Sequence, residues 1–218
     1  MTEDVAFYRE EARGAGGPVV ELGVGTGRIA IPLASDGIEV IGVDSSVGML
    51  EVCARRAAEA GVQLDLRLGD LSDPPVTERV PLVIVPFRSY LHLCTNDERR
   101  RALAAARELL VHGGRLVFDV FAPDAEDIAE TNGRWLEREP GIWERADWDP
   151  ERGTLTLSIR GDGAESKMTL AWVDAADWRA LLVEAGFEVE ACYGWFDRTP
   201  YAGGEDSIWI TRRPEQTS

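Results

Sequence analysis

Three short groups of residues in this sequence carry chemistry by type and spacing. The first is Glu21-Leu22-Gly23-Val24-Gly25-Thr26-Gly27, set between the β-rich run Val19-Val20-Glu21-Leu22 and an apolar-periodic stretch. Glycines at such a junction let a ligand approach the backbone, and the helix that follows offers free N–H groups to a polar or negative group. A plain strand-to-helix turn has the same look. A dinucleotide fingerprint would place glycine at position 28, where the sequence has Arg28, and Glu21 beside the first glycine opposes a pyrophosphate. The loop therefore favours a ligand less anionic than NAD, with a cationic portion near Glu21. The second group is Asp44, at the end of the next apolar run, where a carboxylate accepts hydrogen bonds from both hydroxyls of a ribose. The third is Gly69-Asp70-Leu71. Alone it is only a turn; in this series its carboxylate suits the amino group of an adenine, with Leu71 covering the ring.

Periodicity supplies the elements that must position these groups. Residues 3–13 read as a helix capped by Thr2 and ended by Gly14-Ala15-Gly16-Gly17-Pro18. Residues 28–35 and 47–60 read as helices, the latter capped by Ser45 or Ser46 and stopped by Gly61. Strands are expected at 19–22, 38–43, 62–68, 80–86 and 115–121. The run 38–43 has the unbroken apolar form of a strand buried on both faces. Asn96 or Asp97 caps a helix that runs to Val111, and His112-Gly113-Gly114 is its turn into the fifth strand. Five strands alternating with helices imply right-handed crossovers and a doubly wound, Rossmann-like parallel sheet in the α/β class. All three groups then fall at the carboxyl ends of successive strands, where open sheets bind ligands.

From 122 to 173 the pattern changes to short alternating runs, such as Thr154-Leu155-Thr156-Leu157-Ser158-Ile159, which read as an antiparallel β insertion after strand five. Asp174 caps a closing helix to about Ala185, and strands at 187–195 and 206–212 are too close in sequence for a crossover, so they pair antiparallel at the sheet edge. The expected organisation is one domain: a ligand-binding core over 1–121, the insertion over 122–173, and the closing helix and strand pair over 174–213.

Residues 86–93, Pro86-Phe87-Arg88-Ser89-Tyr90-Leu91-His92-Leu93, follow strand four and start at the same edge. His92 is the one histidine placed there, since His112 enters strand five from the other end. An imidazole near its ordinary pKa suits removal of a proton from an ammonium, hydroxyl or thiol, and equally suits a loop position tied to a backbone carbonyl. All seven tryptophans lie from Trp135 onward. Trp135 and Trp143 are candidates for an aromatic substrate cover; core area for the added sheet is the alternative role. Between Ala122 and Arg152 the local net charge is −6, either a solvated face or an attraction for an amine.

Composition narrows the field further. A chain of 218 residues with 44% apolar content builds a core without staples. Cys53, Cys94 and Cys192 have no metal-ligand spacing, so neither a metal nor a disulfide frame is expected. A net charge of −16 argues against nucleic acid as partner and leaves neutral or cationic small molecules. No apolar run approaches the roughly 20 residues of a membrane span, and the start of the sequence lacks a signal-peptide pattern, so the expected location is the cytoplasm.

The segments Val19 to Arg28, Val40-Ile41-Gly42-Val43-Asp44-Ser45-Ser46 with Met49-Leu50, Gly69-Asp70, Leu109 to Leu116 and Leu181 to Phe187 together resemble the class I S-adenosylmethionine-dependent methyltransferases. The resemblance implies a seven-stranded sheet whose last strand is antiparallel, with S-adenosyl-L-methionine as cofactor and S-adenosyl-L-homocysteine as product. Carried over by position, Glu21, Gly23, Gly25 and Gly27 flank the methionine portion; Asp44, with Ser45 and Met49 beside it, holds the ribose; Asp70 and Leu71 hold the adenine; Pro86, Phe87 and Arg88 lie beside the sulfonium. Tyr8 and Arg13 resemble residues that close over the methionine end. Tyr90, His92, Trp135 and Trp143 form the implied substrate side, with His92 as catalytic candidate. The Asn/Asp-Pro-Pro-Tyr-type motif of methyltransferases acting on DNA bases or protein glutamine is absent. The expectation is methyl transfer to a nitrogen or oxygen of a small molecule by in-line displacement, in a monomer or homodimer. Aminopropyl transfer on the same fold and a cofactor-binding module without catalysis are the alternatives.

Overall fold

The structure, a computed structural model, describes residues 3–215; the expected Thr2 cap lies outside them. Strands β1 (Val19–Leu22), β2 (Val40–Asp44), β3 (Asp65–Leu68), β4 (Val80–Val85) and β5 (Leu110–Phe121) run parallel, and β10 (Glu188–Tyr193) and β11 (Asp206–Arg212) complete a seven-stranded sheet in the order β10-β11-β5-β4-β1-β2-β3. β11 is antiparallel to both β5 and β10. The crossover between β2 and β4 on either side of β1 places the topological switch at the carboxyl end of β1, where the glycine loop begins.

The central strands are buried on both faces, which is why they read as unbroken apolar runs. Val19, Leu82, Ile84 and Val117 face helices α1 (Glu3–Ala15), α2 (Ala30–Ser35) and α3 (Val47–Glu59) through Phe7, Tyr8, Leu33 and Cys53. Val20, Leu22, Val83 and Val85 face α4 (Asn96–Leu109) and α6 (Ala175–Glu184) through Leu103, Ala106, Trp178 and Leu182. The result is a three-layer sandwich with the sheet in the middle.

Helix starts follow side-chain chemistry. Ser46, one of the two expected caps, accepts from Met49 N–H at the head of α3. For α4 the cap is Thr95 rather than Asn96 or Asp97, because Thr95 and Glu98 satisfy each other's backbone N–H groups in a reciprocal capping box. β5 begins directly after α4, so His112-Gly113-Gly114 is strand and not turn. A register shift between Val80 and Leu82 absorbs the irregularity, and Gly114 lets the Val111 and Pro81 carbonyls approach within about 3 Å of where a Cβ would stand.

The insertion is a four-stranded antiparallel sheet of β6 (Trp135–Glu139), β7 (Ile142–Asp149), β8 (Thr154–Gly161) and β9 (Ala164–Ala171) in sequential order. It is preceded by α5 (Ala125–Thr131), a helix absent from the sequence reading: it is capped by Asp124 and buries none of its residues, so it has no apolar stripe to detect. Ala146, Trp148, Leu155, Leu157 and Leu170 turn one face of this sheet onto the main core. β9 runs beside a short 3₁₀ turn, Ser89–His92, that follows β4.

Candidate active site

The glycine loop is shaped by two close approaches and one opening. A Cβ on Gly23 (φ +77°) would stand 2.7 Å from Ser89 Oγ, and one on Gly27 (φ +83°) 2.7 Å from Cys53 Sγ; over Gly25 (φ +53°) nothing lies nearer than the Gly23 carbonyl at 4.0 Å. The outer glycines are therefore needed for packing and the middle one leaves backbone open to a ligand. Gly25 N–H donates to Asp44 Oδ2 (2.8 Å) and Ser46 N–H to Asp44 Oδ1 (2.8 Å). Two backbone donors thus fix the half-buried carboxylate while each oxygen keeps a lone pair for a hydroxyl. At the end of β3, Asp70 is exposed and steadied by Ser72 N–H and Oγ–H on one oxygen, and Leu71 reaches to 3.9 Å of a Gly23 Cβ.

Large apolar side chains left in solvent mark the same edge. Val47 and Met49 at the head of α3, Leu68 at the end of β3 and Phe87 after β4 are all about half exposed, which lines the rim above β1 to β4 with apolar surface.

Deeper in, Glu21 at the end of β1 is buried. Its carboxyl accepts from Ala30 N–H, but Oε2 has no hydrogen-bond partner among the described residues. Burial pushes its pKa well above the usual carboxylate range; the Arg28 charge opposes that rise and the Asp44 charge adds to it. Two strands over, beyond β4, Asp119 of β5 is a buried carboxylate that sequence reasoning passed by, although a lone acid inside Leu116-Val117-Phe118-Asp119-Val120-Phe121 was a signal available to it. It accepts from Tyr8 Oη (2.6 Å), Phe87 N–H (2.9 Å) and Arg88 N–H (3.1 Å). Phe87 (φ 56°) and Arg88 (φ 62°) both sit in the left-handed region, a conformation costly for non-glycine residues and held here by the two N–H bonds to one carboxylate. Burial raises Asp119 to about 6, against the lowering effect of its hydrogen bonds and of Arg88.

The model of the family described as "Methyltransferase domain" matches residues 19–114, from the first residue of β1 into β5. An uncharacterized methyltransferase of Bacillus licheniformis is 36% identical over 104 residues, 48% of this chain and 47% of that one, so the chain spans about half the length of this relative. The ribosomal RNA small subunit methyltransferase C of Alcanivorax borkumensis is 35% identical over 105 residues, 47% of this chain and 32% of that one. Among solved structures, the CcbJ methyltransferase of Streptomyces caelestis has a TM-score of 0.82 at 28% identity, covering 97% of this chain and 95% of that one. SAM-bound CalS10, an amino pentose methyltransferase of Micromonospora echinaspora, has a TM-score of 0.69 at 18% identity, covering 96% and 90%. Residues 19–114 thus carry a methyltransferase-domain match, and the chain as a whole is similar in fold to S-adenosylmethionine-dependent methyltransferases. CalS10 is the structure with SAM bound, and the residues present here would fit that molecule: a fixed carboxylate for the ribose, an uncovered glycine, apolar cover at the adenine end, and an unpartnered buried acid toward the methionine end.

Glu21, the three glycines, Asp44, Ser45, Met49, Asp70, Leu71, Pro86, Phe87 and Arg88 all come to one edge of the sheet, as does Tyr8 through its bond to Asp119. Arg13 does not. It lies at the far end of α1, beside the starts of the strands, and pairs with Asp36 at the tail of α2 (2.8 Å), because α1 runs antiparallel to β1 and only its first two turns reach the carboxyl edge. Tyr90 is also misplaced by the sequence reading: it is fully buried, stacked on Trp178 and edge-on to Phe118, as part of the core beneath the site. Trp135 and Trp143 stand on the face of the insertion turned away from the core, Trp135 under the Arg160 guanidinium (4.0 Å) and Trp143 at the hairpin end, so neither covers the cofactor edge. It is Trp148 and Trp172 that pack inward, edge to face at 5.5 Å.

His92 closes the 3₁₀ turn with an exposed side chain. Partial desolvation lowers its pKa and the Asp44 charge pulls the other way. Beyond it, Arg88 pairs with Asp206 (2.7 Å) and lies over the Phe121 ring (4.5 Å). Burial and the neighbouring Asp127 and Asp206 carboxylates push Glu205 up to about 7, with Arg88 opposing.

Proposed function

We propose that this protein transfers the methyl group of S-adenosylmethionine to an amine nitrogen of a small molecule. The observation that carries the reading is the position of His92, at the end of the 3₁₀ turn and between the cofactor edge and the insertion, with its pKa held down so that the imidazole is neutral at pH 7. The cofactor supplies an electrophilic methyl carbon on a sulfonium that is already a good leaving group. What remains for the chain is to seat the acceptor in line, keep water out and take one proton from an ammonium.

The residues support that division of labour. Asp119 and the left-handed pair Phe87-Arg88 set the floor beside β4. The insertion walls the side next to His92, and Asp127, Glu205 and Asp206 give the flank a negative potential that favours a cationic acceptor. The surface charge of −16 is unsuited to an RNA backbone, which separates this chain from the rRNA-directed relative that it matches over less than half its length.

The test is to incubate wild type and His92→Ala with methyl-labelled S-adenosylmethionine and a panel of primary and secondary amines, amino sugars, phenols and rRNA. Label should enter an amine, with kcat lowered about 10²-fold or more in His92→Ala and S-adenosylhomocysteine affinity unchanged. Labelled phenol or RNA in place of amine overturns the substrate class, and equal kcat in the two proteins overturns the role of His92.

A further inference from the structure

The face that the insertion turns onto the core runs on past the core. In an antiparallel sheet alternate residues share a face, and the register aligns them in rows across the strands. Leu155 and Leu170 form the row seated on the core; one row further out stand Leu157 and Met168, and one further still Leu136 and Ile159. Burial falls along that order: Leu155 is buried, whereas Met168, Ile159 and Leu136 are half-buried and lie beyond the packed core. Glu144, between Leu136 and Ile159, is answered by Arg138 (3.0 Å). The uncovered part of the face is therefore largely apolar and its one acid is neutralised. β9, which carries Met168, runs beside the 3₁₀ turn that ends at His92, and Cys94 Sγ lies 4.0 Å from the Thr169 carbonyl. The apolar strip thus begins next to that turn and is continuous with the acceptor side of the site. The acidic side chains Asp127, Glu205 and Asp206 stand on α5 and at the start of β11, not on the strands of the insertion. Charge and apolar surface are separated on two walls.

We propose that the strip of Met168, Ile159 and Leu136 seats an apolar body carried by the acceptor, so that the substrate is an amphiphilic amine, a nitrogen on an alkyl or aryl group of several carbons, with Met168 setting the selectivity. This rests on the amine reading above and names the class of amine. A hydroxyl-rich amine such as an amino sugar has no apolar group to bury there and leaves the strip wet. An alkyl or aryl group removes both surfaces from water while its ammonium end faces the acidic wall. Met168 suits the part because an unbranched, polarizable thioether adapts to ligand groups of differing shape.

The test has a binding arm and a turnover arm. In the first, isotope-labelled methionine methyl groups are followed by NMR in the chain saturated with S-adenosylhomocysteine; the sequence holds three methionines, Met1, Met49 and Met168, and Met168→Leu identifies the last by its loss. Hexylamine should shift the Met168 resonance saturably, and glucosamine at equal concentration should leave it in place. In the second, label transfer from S-adenosylmethionine is measured with butylamine, pentylamine and hexylamine. Wild-type kcat/KM should rise about threefold per added methylene, as burial of a CH₂ group dictates, a comparison that needs no variant to fold. The rise should flatten in Met168→Gln and persist in Met168→Leu. If hexylamine and glucosamine leave the Met168 resonance alone or move it alike, or if kcat/KM is independent of chain length, the apolar-body assignment is overturned while amine methylation stands. If hexylamine binds saturably at Met168 but no amine is labelled, the amine reading is overturned, and with it the substrate class named here, while the strip keeps its affinity for apolar groups.

Discussion

Asp119 shows how one buried side chain fixes a reaction surface. Its carboxylate gathers a phenol and two consecutive backbone N–H groups, and through Phe87 and Arg88 it sets the turn that carries Ser89 against Gly23. Its pKa near 6 lies above that of an exposed aspartate. Between about pH 4 and pH 6 the folded chain therefore binds more protons than the unfolded chain at this group, and stability contributed by Asp119 rises as pH falls through that window. Its hold on the turn does the opposite, because protonation weakens a charge-assisted acceptor. Affinity for S-adenosylhomocysteine should thus decline as pH falls below about 6, without an unfolding transition in far-UV circular dichroism. In Asp119→Asn the affinity should be lower at neutral pH and lack that inflection, leaving only titrations of other groups such as Glu21. An inflection that survives in Asp119→Asn would assign it elsewhere.

At the level of elements, α1 is strapped across the carboxyl edge by two contacts one turn apart, Asp4 to Arg28 and Tyr8 to Asp119. Tyr8 is wholly buried against Phe7 and Phe196, and its pKa is raised well above 10 by burial and by the Asp119 charge, so its hydroxyl is a donor at every working pH. Tyr8→Phe removes one hydrogen bond and leaves packing intact, a loss of about 1 kcal/mol, more if Asp119 stays ionised. Amide hydrogen exchange in the first two turns of α1 should quicken about fivefold or more, with α4 and α6 unchanged; unchanged exchange in α1 would mean that the aromatic contacts alone hold it. These straps also show what the sequence could disclose. Strands β1, β2 and β4 were legible because burial on both faces leaves almost nothing but apolar residues, so Glu21 within β1 and Asp44 at the end of β2 stood out, whereas Asp70 after the half-exposed β3 gained meaning only from its place in the series. Asp119 does the same inside β5, but its run continues past it and masks it. Arg13 and Tyr8 share α1, yet which end of a helix reaches the site depends on chain direction against β1, which side-chain pattern does not encode. α5 lacked any signal, and Tyr90 reads as a site residue only until the 3₁₀ turn rotates it into the core.

Over the whole molecule, charge decides what can approach. Acidic residues outnumber basic ones by 39 to 23, and near the site Asp127, Glu205 and Asp206 face a single compensating guanidinium from Arg88. Partial desolvation, with the Asp127 and Asp206 carboxylates adding to it, holds Glu205 near 7, and a cation arriving there relieves the part that is repulsion. Such attraction acts over a Debye length, about 10 Å at 0.1 M salt and about 3 Å at 1 M, so it is a long-range aid to encounter rather than a contact. For a cationic amine acceptor, KM should therefore rise several-fold between about 0.05 M and 0.5 M sodium chloride with kcat steady. An uncharged acceptor of similar size, measured alongside, should show no such rise, because only the encounter of opposite charges is screened. Lowering the pH through 7 should blunt the salt effect by protonating Glu205, and Glu205→Gln should blunt it at every pH. If instead the amine and the uncharged acceptor respond to salt alike, the acidic flank is a solvated surface and plays no part in choosing the substrate.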